Sequence, residues 1–402
     1  MKMKWFILCV CLALCSPACS NDDSGFKRAE KPLKPTGPEA EPDNDREEYV
    51  EALREDDPSV TTPFEAYPFV SEPSKKIYYR IPAMVVSKEG TILVFAERRP
   101  GRADTGDIDI VLKRSTDNGK TWGPVIVVRD DGNNRCQNPA PVVLPSGRIL
   151  LLSCWNLGAD SRNREVYITY SDDDGLTWSK ATHVEGVKIA EWSWYATGPC
   201  HGIVKTRKPY VGRVVVSCNH RSDNHKNSFS HIIYSDDDGA TWKLGGNAPY
   251  TYGNESTVAE LGDGSLMLNI RNSDSTDPHR MASVSTDGGR TFGPVSQTEL
   301  IEPITGCQGS LLRYTLDPAT KKATLLFANP PVAESRRNGT IKISEDNGKT
   351  WTRQLQYVPD NTYTSYSDIA VLSRNRIAVI YESGYKSDDG LRFKIVNLAD
   401  FK

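Results

Sequence analysis

The 402-residue chain lacks most of what would mark a metalloprotein, a nucleic-acid binder or a membrane-spanning protein. Four of its nine cysteines (Cys9, Cys11, Cys15 and Cys19) fall in the first nineteen residues, and the other five (Cys136, Cys154, Cys200, Cys218 and Cys307) show no Cys-x-x-Cys spacing. That excludes the common zinc frameworks. The six histidines include no His-x-x-x-His pair, so no metal is expected. Positive charge is not in excess: 49 basic against 52 acidic residues leave a net charge of −3. No broad cationic surface is then available to neutralise a phosphate backbone, and nucleic acid is not expected as a partner. No apolar run is long enough to cross a bilayer as a helix.

The chain opens on Met1-Lys2-Met3-Lys4, continues through the apolar run Trp5 to Leu14, and reaches Ser16-Pro17-Ala18-Cys19. A charged start, a short apolar stretch and a small-residue cleavage site make an export signal over residues 1–18. Cleavage before Cys19 leaves an N-terminal cysteine of the kind bacteria acylate, so the expectation is an exported protein, lipid-anchored to the cell envelope and touching the membrane only through Cys19. Ser16 stands where such signals usually carry leucine, which keeps plain secretion as the alternative. Residues 19–65 hold few apolar side chains and many Pro, Glu, Asp and Lys, and read as a disordered tether. In an oxidising compartment one disulfide among Cys154, Cys200 and Cys218 is an option beside buried free thiols.

From residue 66 to 402 the composition changes to short runs of Val, Ile, Leu and Tyr separated by Gly, Asp, Asn or Pro, which is the signature of strands. Within them Ser-x-Asp-x-Gly-x-Thr-Trp recurs at Ser115, Ser171, Ser235 and Ser344, and with Phe292 in place of Trp at Ser285. The spacing suits one four-stranded antiparallel blade per copy. In each copy the Asp braces a turn, the Gly supplies a positive φ and the aromatic packs into the blade, so these carboxylates are structural. Five copies plus the stretch Tyr366 to Leu398 predict an all-β, six-bladed β-propeller. An N-terminal strand completes the last blade and leaves no free edge.

Other segments carry a resemblance. Tyr79-Arg80-Ile81-Pro82-Ala83, Phe95-Ala96-Glu97-Arg98-Arg99 and Asp104 between Arg102 and Asp107 resemble the opening of the exo-α-sialidases of glycoside hydrolase family thirty-three. The likeness continues through Asn138-Pro139-Ala140-Pro141, Glu191-Trp192-Ser193, Asn254-Glu255-Ser256, Leu268-Asn269-Ile270-Arg271, Tyr366-Ser367-Asp368 and Tyr381-Glu382, spanning about residues 75–385. It implies the sialidase fold with its Asp-box repeats, as found in bacterial lipoproteins of this family.

By this resemblance Arg80, Arg271 and either Arg336 or Arg337 form a triad that grips the substrate carboxylate, a task suited to planar guanidinium forks. Sialic acid carries that carboxylate on its anomeric carbon, where a carboxylate nucleophile would be repelled, and Tyr366 matches the tyrosine that replaces it. Glu255 matches the base that withdraws the phenolic proton. Asp104 matches the acid that protonates the leaving oxygen, with Asp107 and Asp109 as neighbours that could be mistaken for it. Arg99 and Glu97 are expected near the pocket, Arg99 binding substrate or orienting Asp104, and Glu382 is expected behind a triad arginine. The Glu191 to Tyr195 stretch either lines the sugar site or packs in a blade, and His279 is expected on an exposed loop.

The resemblance thus implies hydrolysis of terminal sialic acids from sialylated glycoproteins, glycolipids and oligosaccharides with retention, a chemistry that needs no metal or other cofactor; the chain is expected to be a monomer. Two alternatives use the same fold: transfer of the sialyl group, to an acceptor or to the substrate's own hydroxyl, and glycan binding without catalysis.

Overall fold

The computed structural model describes residues 46–402 apart from 159, 161, 223–226 and 386–387. The expected leader, Cys19 and the first part of the tether lie outside the described residues. The rest folds as six antiparallel sheets arranged as the blades of a propeller. Blade I is Tyr78–Val86, Ile92–Arg99, Asp109–Ser115 and Ile126–Arg129, and blade II is Arg135–Val143, Ile149–Asn156, Glu165–Ser171 and Thr182–His183. In blade III the inner strand is split into Trp192–Thr197 and Ile203–Val204, both paired with Val214–Ser222; Ser228–Ser235 and Lys243–Asn247 follow. Blade IV comprises Gly253–Glu260, Leu266–Asn272, His279–Ser285 and Ser296–Ile301, and blade V Ser310–Asp317, Lys322–Asn329, Thr340–Ser344 and Arg353–Gln356. Blade VI takes Thr364–Ser373, Arg376–Ser383 and Gly390–Asn397 from the end of the chain and its outer strand, Phe64–Val70, from the beginning.

The core is divided among the six blade interfaces. On the second strand of blade I, Ile92, Val94 and Ala96 join the cluster shared with blade VI, whereas Leu93 and Phe95 join the cluster shared with blade II. Both faces of a blade are covered, which is why these strands read as unbroken apolar runs instead of alternating with polar residues.

The repeated turns explain how the blades are spaced. In the second copy Thr177 N donates to Asp173 Oδ1 at 2.8 Å and Gly175 N to Ser171 Oγ at 2.9 Å; the same pair of bonds recurs at Ser115/Asp117, Ser235/Asp237, Ser285/Asp287 and Ser344/Asp346. Gly175 has φ +81°, and a Cβ there would stand 2.4 Å from Leu93 of the preceding blade. The glycines of the other copies face Phe393, Leu150, Ile232 and Met267, each again on the preceding blade. The turns are wedges between blades. Blade VI lacks a copy because its outer strand comes from the start of the chain, so the hairpin that would carry the turn does not exist.

Register fixes which end of the propeller is which. Val86 pairs with Ile92 and Ile92 with Ser115, while Arg80 pairs with Glu97. The repeated turns therefore stand at one end and Arg80 at the other. Along the axis, the buried Asp368 of blade VI accepts from Met84 N of blade I at 2.9 Å, Ser310 Oγ of blade V at 2.6 Å and His201 Nδ1 at 2.7 Å. One carboxylate thereby ties together four parts of the ring.

The tether expected over 19–65 is corrected at its far end. Residues 46–63 lie against the propeller: Tyr49 N donates to Thr206 O at 3.1 Å, Arg54 to Ser87 O at 2.7 Å, and Asp56 accepts from Asn375 N at 3.0 Å. Val60 is buried in the cluster between blades VI and I. Sparse apolar content misled the reading because this segment is held by hydrogen bonds to its own propeller and needs no core of its own. All five cysteines beyond the leader are buried free thiols.

Candidate active site

The starts of several inner strands bring together residues that are far apart in the chain. Arg80, Glu255 and Tyr366 come from the inner strands of blades I, IV and VI, Arg271 from the second strand of blade IV, and Arg336 from the loop leading into Thr340–Ser344 of blade V. At Arg80 the inner strand is bulged, and Ile81 adopts φ 54°. A β-branched residue seldom takes a left-handed conformation, so the backbone is strained here, and the bulge turns Arg80 toward the axis. The Ile81 N–H donates to Glu382 Oε1 at 2.9 Å, and Arg80 lies 3.2 Å from the same oxygen. Glu382 thus holds both the strained peptide and the guanidinium, which gives Arg-Ile-Pro its physical content.

Tyr366 lies at the floor of the cluster, 7% exposed, beside Ile81 and Cys307. Its hydroxyl donates to Glu255 Oε1. Arg271 donates to Glu255 Oε2 at 2.5 Å and to the Tyr366 hydroxyl at 3.2 Å. The guanidiniums of Arg80 and Arg336 stand 5.7 and 5.5 Å from the centre of the tyrosine ring. Burial and the Glu255 carboxylate push the Tyr366 phenol well above its usual range, and Arg271 and Arg336 offset only part of that. The phenol is protonated in the resting protein, with the group able to take its proton already hydrogen-bonded to it.

Of the two adjacent arginines, the structure brings Arg336 into the cluster. Arg336 donates to Ser365 Oγ and Gly306 O, both at 2.9 Å, whereas Arg337 forms a backbone bridge with Tyr363.

Asp104 stands on the rim, on the loop after Ile92–Arg99, with its side chain 63% exposed. Arg99 donates to its Oδ1 at 2.6 Å, and Arg80 is 3.9 Å away. Burial of the carboxyl raises its pKa, but Arg99 and Arg80 outweigh that and hold it below the ordinary carboxylate value. Asp109 begins the next strand and pairs with Arg98 at 2.5 Å; Asp107 lies exposed in the turn before it.

Behind the rim is a set of residues to which sequence reasoning gave no role or only a general one. Glu97, fully buried, takes Arg99 Nε on Oε2 at 2.7 Å and Asn138 N on Oε1 at 2.7 Å. Asn138 Oδ1 accepts from Arg164 at 3.0 Å, and the Arg164 guanidinium lies 3.6 Å from the centre of the Trp194 ring. Asn138 belongs to the family-like segment Asn138-Pro139-Ala140-Pro141, which assigns it no role; Arg164 lies in no motif, and only its position in space reveals it. In the Glu191 to Tyr195 stretch, Trp192 and Tyr195 are buried, with Trp192 stacked on His220, and Trp194 is the half-buried one. His279, expected on a loop, begins a strand of blade IV and bonds Asp277 at 2.7 Å. Its polar neighbours had suggested a loop, but the segment pairs with the outer strand of the blade.

Residues 90–379 match the family described as the BNR repeat-like domain. The chain is similar to a sialidase of Micromonospora viridifaciens, 31% identical over 350 residues that cover 80% of this chain and 52% of that protein. It is likewise similar to a sialidase of Paraclostridium sordellii, 31% identical over 346 residues covering 76% of this chain and 81% of that one. Among solved structures it resembles Hadza microbial sialidase Hz136, with 28% identity and a TM-score of 0.72 over 81% of this chain and 66% of that chain. The chain spans about half the length of the Micromonospora relative.

Proposed function

The chain belongs to the sialidase family, and from that premise we propose that it is an exo-acting glycoside hydrolase releasing terminal sialic acid from glycans, with Tyr366 as nucleophile. The observation that carries this reading is the Tyr366 hydroxyl bonded to Glu255 within a ring of three arginines, Arg80, Arg271 and Arg336. Such a ring suits a substrate whose reacting carbon bears a carboxylate.

In this reading the arginines bind the sugar carboxylate and place the anomeric carbon over Tyr366. The phenol oxygen attacks that carbon, Glu255 takes the phenolic proton, and Asp104 protonates the departing glycosidic oxygen. Water then attacks the anomeric carbon and gives its proton to Asp104, while the departing Tyr366 oxygen takes its proton back from Glu255. Two displacements give overall retention. The carboxylate of the substrate offsets the cations around Asp104, raising the affinity of Asp104 for the proton it must donate. The substrates are sialylated glycans. The leader and Cys19 support export and lipid anchoring at the cell envelope, and the protein acts as a monomer.

The test is NMR of the anomeric signals as purified protein acts on α2,3-sialyllactose, beside a Tyr366→Phe variant. Initial release of α-configured sialic acid, lost in the variant, supports the reading. An anhydro or transferred product replaces hydrolysis by transfer, and no turnover of any sialoside leaves a glycan-binding propeller.

A further inference from the structure

We propose that Arg164 is a positioning residue for Asp104, acting through Asn138, Glu97 and Arg99; the inference rests on the functional reading above. Asp104 is an exposed side chain on a largely exposed loop, and the ion pair that fixes its orientation is with Arg99. Arg99 makes the close contact, at 2.6 Å against 3.9 Å for Arg80, and so sets where the Asp104 carboxylate points.

Arg99 is in turn held by Glu97, and Glu97 spends its second oxygen on the Asn138 amide. Asn138 sits at a bulge with φ 57°, a left-handed conformation open to asparagine, and both its carbonyl and its side chain draw support from outside its strand. That support comes from two sides: Thr197 Oγ1 donates to its carbonyl at 2.7 Å, and Arg164 donates to its side-chain oxygen at 3.0 Å. The series Trp194, Arg164, Asn138, Glu97, Arg99, Asp104 therefore runs without a gap from blade III through blade II to blade I.

The character of Arg164 fits this role better than packing. It is 3% exposed and holds no carboxylate in a direct ion pair among the described residues; burial lowers its pKa, and Cys154, Glu97 and Asp104 nearby offset only part of that. A buried cation without an anion is costly, and an apolar side chain would fill the space against Trp194 at no such cost. What the guanidinium adds is the bond to Asn138, fixed in direction by stacking on the indole, and a positive charge facing Asp104.

Weak and strong leaving groups separate this role from a structural one. An alkyl leaving group such as lactose needs a well-placed acid, whereas a nitrophenolate departs without one. We expect Arg164→Met to lower kcat/KM on α2,3-sialyllactose by about tenfold or more, the scale of a misplaced catalytic group, with far less effect on a nitrophenyl sialoside. The limb of the pH profile on which Asp104 loses its proton moves to higher pH in this variant, because a nearby cation is gone. Arg164→Lys, which keeps the charge but not the stacked fork, shows the leaving-group effect without the pH shift and serves if the methionine variant fails to fold. Asp104→Asn is the reference for the discrimination. Equal losses on both substrates in both Arg164 variants, or no loss in either, overturn the proposal. If instead wild-type protein cleaves neither sialoside, or Asp104→Asn does not discriminate between them, the functional reading itself fails and takes the proposal with it.

Discussion

Arg271 donates to both Glu255 Oε2, at 2.5 Å, and the Tyr366 hydroxyl, at 3.2 Å, so one guanidinium spans the proposed nucleophile and its base. The positive charge stands where the phenol oxygen gains negative charge and where Glu255 loses its own on protonation. Tyr366→Phe removes the attacking atom and lowers kcat by about a thousandfold or more. Glu255→Gln keeps the shape but not the base and lowers kcat by about a hundredfold to ten-thousandfold. Both variants keep the wild-type unfolding midpoint to within a few degrees, read by steady-state kinetics beside thermal unfolding.

Asp104 is held below the ordinary carboxylate value by Arg99 and Arg80, so in free protein it is deprotonated over most of the working range. As the proposed acid it must carry a proton, and kcat/KM for sialyllactose is therefore expected to fall as pH rises from the acidic side. Arg99→Met removes the nearer cation and moves that fall to higher pH. A profile on the nitrophenyl sialoside shows the limb weakened, because departure no longer depends on the acid.

Gly175 has a left-handed φ, and its missing Cβ leaves room for Leu93 of the preceding blade. Gly175→Ala puts an atom 2.4 Å from the Leu93 methyl and destabilises the fold by about 1–3 kcal/mol through overpacking and strain. At Gly101 an added Cβ meets nothing within 4 Å, and Gly101→Ala is close to neutral. Denaturant midpoints of the two variants measure the difference.

His220 and His231 face each other at 3.0 Å inside blade III. Burial pushes His220 down to about 3 and His231 well below its usual value. Both are neutral in the folded state, while in the unfolded chain they take up protons near pH 6.5. A depressed histidine pKa means that stability is present above about 6.5 and is lost as pH falls, by up to about 1.4 kcal/mol per pH unit for each group. His201 works the other way: burial lowers its pKa, but Asp368 outweighs burial and raises it, so it offsets part of the loss. Thermal unfolding should show the midpoint dropping between pH 7 and pH 5, less steeply in His220→Phe, which retains an aromatic ring against Trp192.

Much of the fold was legible because the propeller writes itself into the chain as a repeat. The Ser, Asp, Gly and Thr of each turn are required by bonds within nine residues, so the pattern survives in sequence whatever surrounds it. The triad arginines, Glu255 and Tyr366 were legible only through family motifs, since nothing local says that positions 80, 255, 271, 336 and 366 meet. The packed run 46–63 was misread as tether because its partners, such as Thr206 and Asn375, are distant in the chain.

The sequence by itself determined the number of blades, the wedge turns and their glycines, because each depends on local geometry, whereas the candidate site residues were legible through the family-like segments alone. Only the tertiary structure brought Arg336 rather than Arg337 into the cluster around Tyr366 and linked Arg164 to Asp104 through Asn138, Glu97 and Arg99. Those outcomes depend on where strands from different blades end relative to the common axis, a relation fixed by packing across the blade interfaces.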